Sequence, residues 1–216
     1  MPPDLPVQWI VLALTVLLFT VIGAYTASLF FVAHSANAYR EQMCPLVDSE
    51  NPLVQATVLK AIPQSKPGKL SMSDYVRLFE WFNSKIAYHS DPEGTDEYST
   101  PAQTLETQQG DCEDMALLAA SMIRARGGTV RFMAVFECRH AFAMVPAGTE
   151  DDLKPAVQQI LDTYRAEYQK EINASSIQFY RDDSGQYWLV FDPAGGSFLG
   201  DTYPACTAVQ NLRFYC

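Results

Sequence analysis

The sequence predicts an α+β fold, with one helix packed on an antiparallel sheet, behind a single N-terminal membrane helix. Three observations in the 216 residues predict it. In "SMSDYVRLFEWFNSKIAYHSD" the apolar residues Tyr75, Leu78, Phe79, Phe82 and Ile86 recur at helical spacing. A second helical run, "DCEDMALLAASMIRA", ends at Gly127-Gly128. Beyond it the pattern turns β-branched and aromatic in "TVRFMAVFECRHAFAMV", which reads as one long strand or a tight hairpin. Helices first and strands after is the order of an α+β domain.

From Leu5 to Tyr39 there is no Asp, Glu, Lys or Arg. A bilayer-spanning helix needs roughly 20 apolar residues, and the run at about 7–33 exceeds that. Trp9 and Tyr39 suit the two interfaces. A cleaved signal peptide competes, since "SANA" offers an A-x-A pattern, but the apolar region is too long and no base precedes it. Residues 1–39 are therefore read as an anchor segment contacting the lipid bilayer, 40–70 as a juxtamembrane stalk with a helix near 52–61, and 71–216 as the folded domain. Within that domain Thr100-Pro101 reads as cap and first residue of a short helix. Residues 150–172 return to a helical period, and "SIQFYRDDSGQYWLVFDPAGG" reads as strand, turn, strand.

The net charge of -10 argues against a nucleic-acid partner. No Cys/His set has zinc spacing and no phosphate loop occurs, so neither metal nor cofactor is expected. Five cysteines are present: Cys44, Cys112, Cys138, Cys206 and Cys216. With Cys112 set aside for chemistry, four remain. Cys206 and Cys216 close a short loop that looks like a staple on the tail, and Cys44 and Cys138 could then pair. Disulfides persist in oxidising compartments, which places the domain in the periplasm or outside the cell. Buried free thiols in a cytoplasmic domain are the competing reading.

Cys112 follows Gly110 and falls at a helix N-terminus. Unpaired backbone N–H groups and the positive end of the helix dipole favour a thiolate there. The same groups suit an oxyanion, with the N–H of Cys112 as first candidate. By itself a Gly-Asp-Cys is better explained by a packing cysteine. A thiolate nucleophile needs a base, and the base an orienting group. His140 sits inside a strand, and Asp192 ends another just before Pro193. On neighbouring strands the two can hydrogen-bond, and His140 can face Cys112.

These residues stand in four segments that resemble, in order, the transglutaminase-like domain of the papain-like cysteine enzymes. They are "DYVRLFEWFNSKIAYHSD", "TPAQTLETQQGDCEDMALLAASMIRARGG", "VRFMAVFECRHAFAMV" and "YWLVFDPAGG". The resemblance covers roughly 70–200, and its most specific piece is Gly-Asp-Cys-x-Asp. It implies a papain-like core with Cys112 as nucleophile, His140 as base and later acid, and Asp192 as orienter. Gly110 and Asp114 would support the site. It further implies acyl transfer on amide bonds of a protein or peptide, and small anchored relatives lean towards a peptidase or amidase rather than a cross-linker. The helix at 150–172 looks like an insertion, able to gate the cleft, dock a partner or cover the sheet edge. Cys138, two residues from His140, could also trap Cys112 in a disulfide. Because fold does not fix function, the competing class is an accessory subunit of a larger membrane complex, with the domain as a docking module.

Overall fold

The computed structural model describes residues 17, 18, 20–22, 37–92, 95, 97–135, 138–206 and 213–214. The chain divides into two compact units, 1–41 and 42–216. In the first, residues 17, 18 and 20–22 are helical, and Leu17, Leu18, Val21 and Ile22 are exposed. The expected span at 7–33 otherwise lies outside the described residues. Among the described residues no helix is long and apolar enough to cross a membrane.

The second unit is a mixed helix-and-sheet domain. Helix α1 (Pro52–Ala61) starts where the Asn51 side chain accepts the Leu53 N–H and Pro52 supplies a preset φ. Val54, Val58 and Ile62, four residues apart, are buried in the main core. The segment read as a stalk is thus partly core, because one face of this short helix is fully apolar. Helix α2 (Met72–Lys85) opens with a capping box between Ser71 and Asp74. Its Phe79 and Phe82 meet Phe191 edge-on, at 5.6 and 6.0 Å between ring centroids.

Strand β1 (Ala87–Tyr88) pairs in parallel with β2 (Gln109–Gly110), which follows helix α3 (Pro101–Thr107). Helix α4 (Cys112–Ala125) is buried over most of its length and ends at Gly127, whose φ of +71° a side-chain-bearing residue rarely adopts. The apolar pattern after it forms a hairpin, β3 (Arg131–Val135) and β4 (His140–Gly148), in antiparallel register with Val135 opposite His140. Strands β5 (Phe179–Arg181), β6 (Tyr187–Phe191) and β7 (Arg213–Phe214) complete an antiparallel sheet of order β5-β6-β4-β3-β7. Asp182 fixes the β5–β6 turn by accepting from the Ser184 and Gln186 N–H groups.

The predicted insertion is helix α5 (Glu150–Tyr168). It packs on α2 and β4, with Ser73 and Thr163 hydroxyls 2.8 Å apart and Arg77 gripping the Glu167 carboxylate at 2.6 and 2.9 Å. Its buried Tyr164 takes the Leu199 N–H on the phenol oxygen. Its strand contact is with the central β4, so it lies against a face of the sheet and not along its edge.

Disulfide pairing departs from expectation. Cys138 is bonded to Cys206, with Cα atoms 5.5 Å apart. That excludes both Cys206–Cys216 and Cys44–Cys138. The staple ties the β3–β4 turn to the tail, because the chain after β6 folds back over the end of the sheet. Cys44 is also disulfide-bonded, and Cys112 is the free cysteine among the described residues.

Candidate active site

Three local devices place Cys112. Asp111 caps helix α4 by accepting the Asp114 N–H at 3.2 Å, which makes Cys112 the first helical residue. Gly110 permits the approach of α4, since a Cβ there would lie 2.7 Å from the Asp114 Cβ and 3.2 Å from Thr104. Buried Asp114 accepts the Ser99 N–H at 2.7 Å, tying the loop before α3 to the nucleophile helix. Asp114 therefore acts as a brace, and burial raises its carboxyl above the usual range. The N–H of Cys112 heads the helix, ahead of the bond from Met115 N–H to the Asp111 carbonyl.

His140 opens strand β4, and Asp192 directly follows the last residue of the adjacent strand β6, at the same end of the sheet. His140 Nε2 is 2.7 Å from Asp192 Oδ2. With the carboxylate ionised, Nε2 carries the proton and Nδ1 is left as the basic nitrogen. Asp192 is fully buried, yet it is well supplied with donors. Its Oδ2 also accepts the Thr202 hydroxyl at 2.6 Å and the Tyr203 N–H at 3.3 Å, and its Oδ1 accepts the Gly195 N–H at 2.9 Å. Thr202 and Tyr203 come from the tail beyond the Asp-Pro segment, and Gly195 from within that segment. Gly195 carries the signal that was there to read. A Cβ at that position would sit 2.6 Å from Asp192 Oδ2 and 2.7 Å from the Tyr203 nitrogen, so only glycine lets the tail close on the carboxylate.

Cys112 and His140 line one cleft of about 480 Å³ together with Tyr88, Cys138, Arg139, Ala194 and Tyr203. The Tyr203 ring stands 5.7 Å from the imidazole, centroid to centroid. Tyr88, Arg139 and Tyr203 had not been marked by sequence reasoning. A smaller surface recess of about 260 Å³ around Arg77 and Glu167 holds no nucleophile and lies among residues that brace α2 and α5.

The thiol is not in the form expected of it. It is buried, and its Sγ donates to Glu113 Oε2 at 2.7 Å. Burial first, and the Glu113 carboxylate second, push the Cys112 thiol well above the ordinary thiol range. The Ala141 backbone N–H, one residue beyond His140, is directed at the sulfur and pulls the other way. Burial and Glu113 also push Asp111 up to about 7. Sequence reasoning weighed the helix N-terminus, which favours a thiolate, and gave no role to the Glu113 side chain. Atoms of Asp111, Cys112 and Glu113 lie within 4.8 Å of one another. A cation held there would occupy the nucleophile itself, so the cluster is read as the electrostatic surroundings of the thiol.

The family model described as the transglutaminase-like superfamily matches residues 60–193, more than half of the 216. A solved structure, that of a candidate cysteine protease from Cytophaga hutchinsonii, is similar at 18% identity over 48% of this chain, with a TM-score of 0.37. The chain spans 38% of that protein's length, and at that overlap the likeness carries no functional weight.

Proposed function

The chain belongs to the transglutaminase-like superfamily, and on that premise we propose that it is a cysteine acyl-transfer enzyme using Cys112, His140 and Asp192. The observation that carries this reading is the 2.7 Å contact of His140 with buried Asp192, at the edge of a cleft that Cys112 also lines. In the proposed reaction Nδ1 of His140 takes the thiol proton, and the sulfur attacks an amide carbonyl carbon. The N–H of Cys112 holds the resulting oxyanion. His140 returns its proton to the leaving nitrogen, the C–N bond breaks, and a thioester remains. Water then cleaves the thioester, which makes the enzyme a peptidase or amidase.

A bilayer anchor at 7–33 and a periplasmic or extracellular domain complete the proposal. The charge-free segment and the exposed Leu17, Leu18, Val21 and Ile22 support the first. Oxidised Cys138, Cys206 and Cys44 support the second. One observation favours the accessory-subunit reading, namely that the Cys112 thiol is buried and hydrogen-bonded to the Glu113 carboxylate.

An activated ester separates the two readings without knowledge of the natural substrate. Full-length protein in mild detergent is mixed with p-nitrophenyl acetate. A stoichiometric burst of p-nitrophenolate is expected, with one acetyl group on Cys112 by intact mass. Cys112→Ala should show no burst, and His140→Ala a burst slowed about a hundredfold or more. An absent burst in the wild type, or an equal one in Cys112→Ala, sinks the enzyme reading.

A further inference from the structure

Glu113 has no part in the proposed reaction, yet its carboxylate is in hydrogen-bonding contact with the nucleophile. It stands at the second position of α4. An acid there is ordinarily explained by the helix dipole and points to water. Here Oε2 turns back to accept the Cys112 thiol proton at 2.7 Å. Asp111 is the nearest other acid, and its Oδ1 already caps the helix through the Asp114 N–H. His140 has committed Nε2 to Asp192. The Glu113 carboxylate is thus the acceptor in contact with the Cys112 thiol, while Nδ1 of His140 is the acceptor that the proposed reaction requires.

We propose that Glu113 is a positioning residue that brakes the nucleophile, keeping Cys112 in the thiol form until the carboxylate is neutralised or drawn away. The proposal rests on the reading of Cys112 as nucleophile. An unopposed helix N-terminus and the Ala141 N–H would draw the thiol towards thiolate. A carboxylate against the sulfur reverses that, by accepting a bond only the thiol can give and by repelling the thiolate's charge. A standing thiolate in a cleft open to oxidants is prone to sulfenic and higher oxidation, and the brake keeps the sulfur unreactive between turnovers.

Other groups face the same sulfur. Asp111 flanks it on the N-cap side, and Asp91 acts in turn on Asp111 and Asp114. Tyr88 of β1 feels the Cys112, Asp111 and Glu113 charges. Arg139, His140 and Tyr203 line the remaining wall. None of these is replaced by a Glu113 substitution, although Asp111, which the Glu113 charge helps to raise, would ionise more readily in Glu113→Gln and so oppose the expected shift.

The test is the pH profile of Cys112 alkylation by iodoacetamide in full-length protein, read by intact mass. It compares wild type, Glu113→Gln, Glu113→Asp and the double variant Glu113→Gln/His140→Ala. Glutamine keeps the shape and removes the charge. Its alkylation midpoint should fall by about one pH unit or more, making labelling near pH 7 about tenfold faster. Glu113→Asp, which withdraws the carboxylate by one methylene, should move the midpoint the same way by less. In the double variant the gain should shrink, because the released proton has lost its other acceptor. An unchanged midpoint in Glu113→Gln makes Glu113 a bystander and overturns the proposal. A raised midpoint would make it a helper base, which overturns it too. A lowered midpoint without any ester burst upholds the brake while rejecting acyl transfer, so the two failures are distinguishable.

Discussion

One end of the cleft holds a buried carboxylate met by four donors, and the other a buried thiol beside two acids. At the imidazole end, Asp192 takes hydrogen bonds from His140, Thr202, Tyr203 and Gly195. A buried charge so surrounded is well compensated, and the ring it orients has one tautomer to adopt. At the thiol end, Cys112 bonds to Glu113, and burial pushes both the thiol and Asp111 upward. The difference teaches that the two halves of a candidate triad need not be prepared alike. The imidazole is organised in advance by strand pairing and a folded-back tail, and so would be the base the proposal assigns to it. The thiol is placed in advance but electrostatically restrained.

The largest expected effect comes from breaking the organised end. In Asp192→Asn an amide cannot accept from all four donors at once, so at least one buried partner is left over. The amide also no longer selects the tautomer with the proton on Nε2. The rate of the ester burst should fall about a thousandfold or more, and urea denaturation should show a loss of about 2 kcal/mol. The two readouts belong together. A stability loss with an intact burst would mean that Asp192 only holds the tail, and the contrast between the two ends would lose its functional content.

A smaller effect on the burst, though a larger one on stability, should follow reduction of Cys138–Cys206. The bond joins residues 68 apart in sequence, and its Cys206 end lies three residues beyond Tyr203. In the chain-entropy account, opening a loop of that size costs about 4 kcal/mol, with measured values running lower. The consequence should be uneven. Thr202 and Tyr203 are held over Asp192 by the tail, while Glu113 and Asp111 belong to helix α4. In the Cys138→Ser/Cys206→Ser variant the burst should slow and melting should occur earlier, while the midpoint of Cys112 alkylation moves little. An alkylation midpoint that shifts as far as the burst does would show that the two ends are one coupled unit.

The sequence made some of this visible and hid the rest for physical reasons. Caps were legible because they are local. Thr100 with Pro101 forms the expected helix start, and the Ser71–Asp74 box is equally local. The β3–β4 hairpin was one of two forms the apolar run allowed, and the Asp-Ser-Gly turn held through the Asp182 side chain. His140 and Asp192 could be placed on neighbouring strands because strand pairing brings aligned ends together. Cysteine pairing was not legible, since Cys138 and Cys206 meet only once the tail has folded back. Thr202 and Tyr203 were missed for the same cause. Val54, Val58 and Ile62 follow a helical face, but three residues in a short segment do not tell a stalk from a core helix. Glu113 was passed over because its spacing puts it on the solvent side of an ideal helix start, and only a side-chain rotation turns it to the sulfur.

The smallest effect concerns Asp111 and the sign of a pH dependence. Its carboxyl is raised from 3.8 to about 7, chiefly by burial and then by Glu113. Between those two values the folded protein holds a proton that the unfolded chain has released. Stability must therefore fall as pH rises through that window, with the penalty absent below about 4 and complete above about 7. The group is only half-buried, and solvent screening reduces the penalty to the order of 1 kcal/mol. Paired acids such as Glu167 and Asp182, lowered by their own partners, act in the opposite sense and lose their contribution as pH falls. The wild-type curve alone thus mixes both signs. The informative quantity is the difference in urea midpoint between wild type and Asp111→Asn, measured from pH 4 to pH 8. Asparagine can still cap α4, so the helix start survives the substitution. The variant should gain on the wild type steadily across the window and then level off. A flat difference would mean that the acids around Cys112 are as well solvated as any on the surface, and that the restraint on the thiol comes from Glu113 alone.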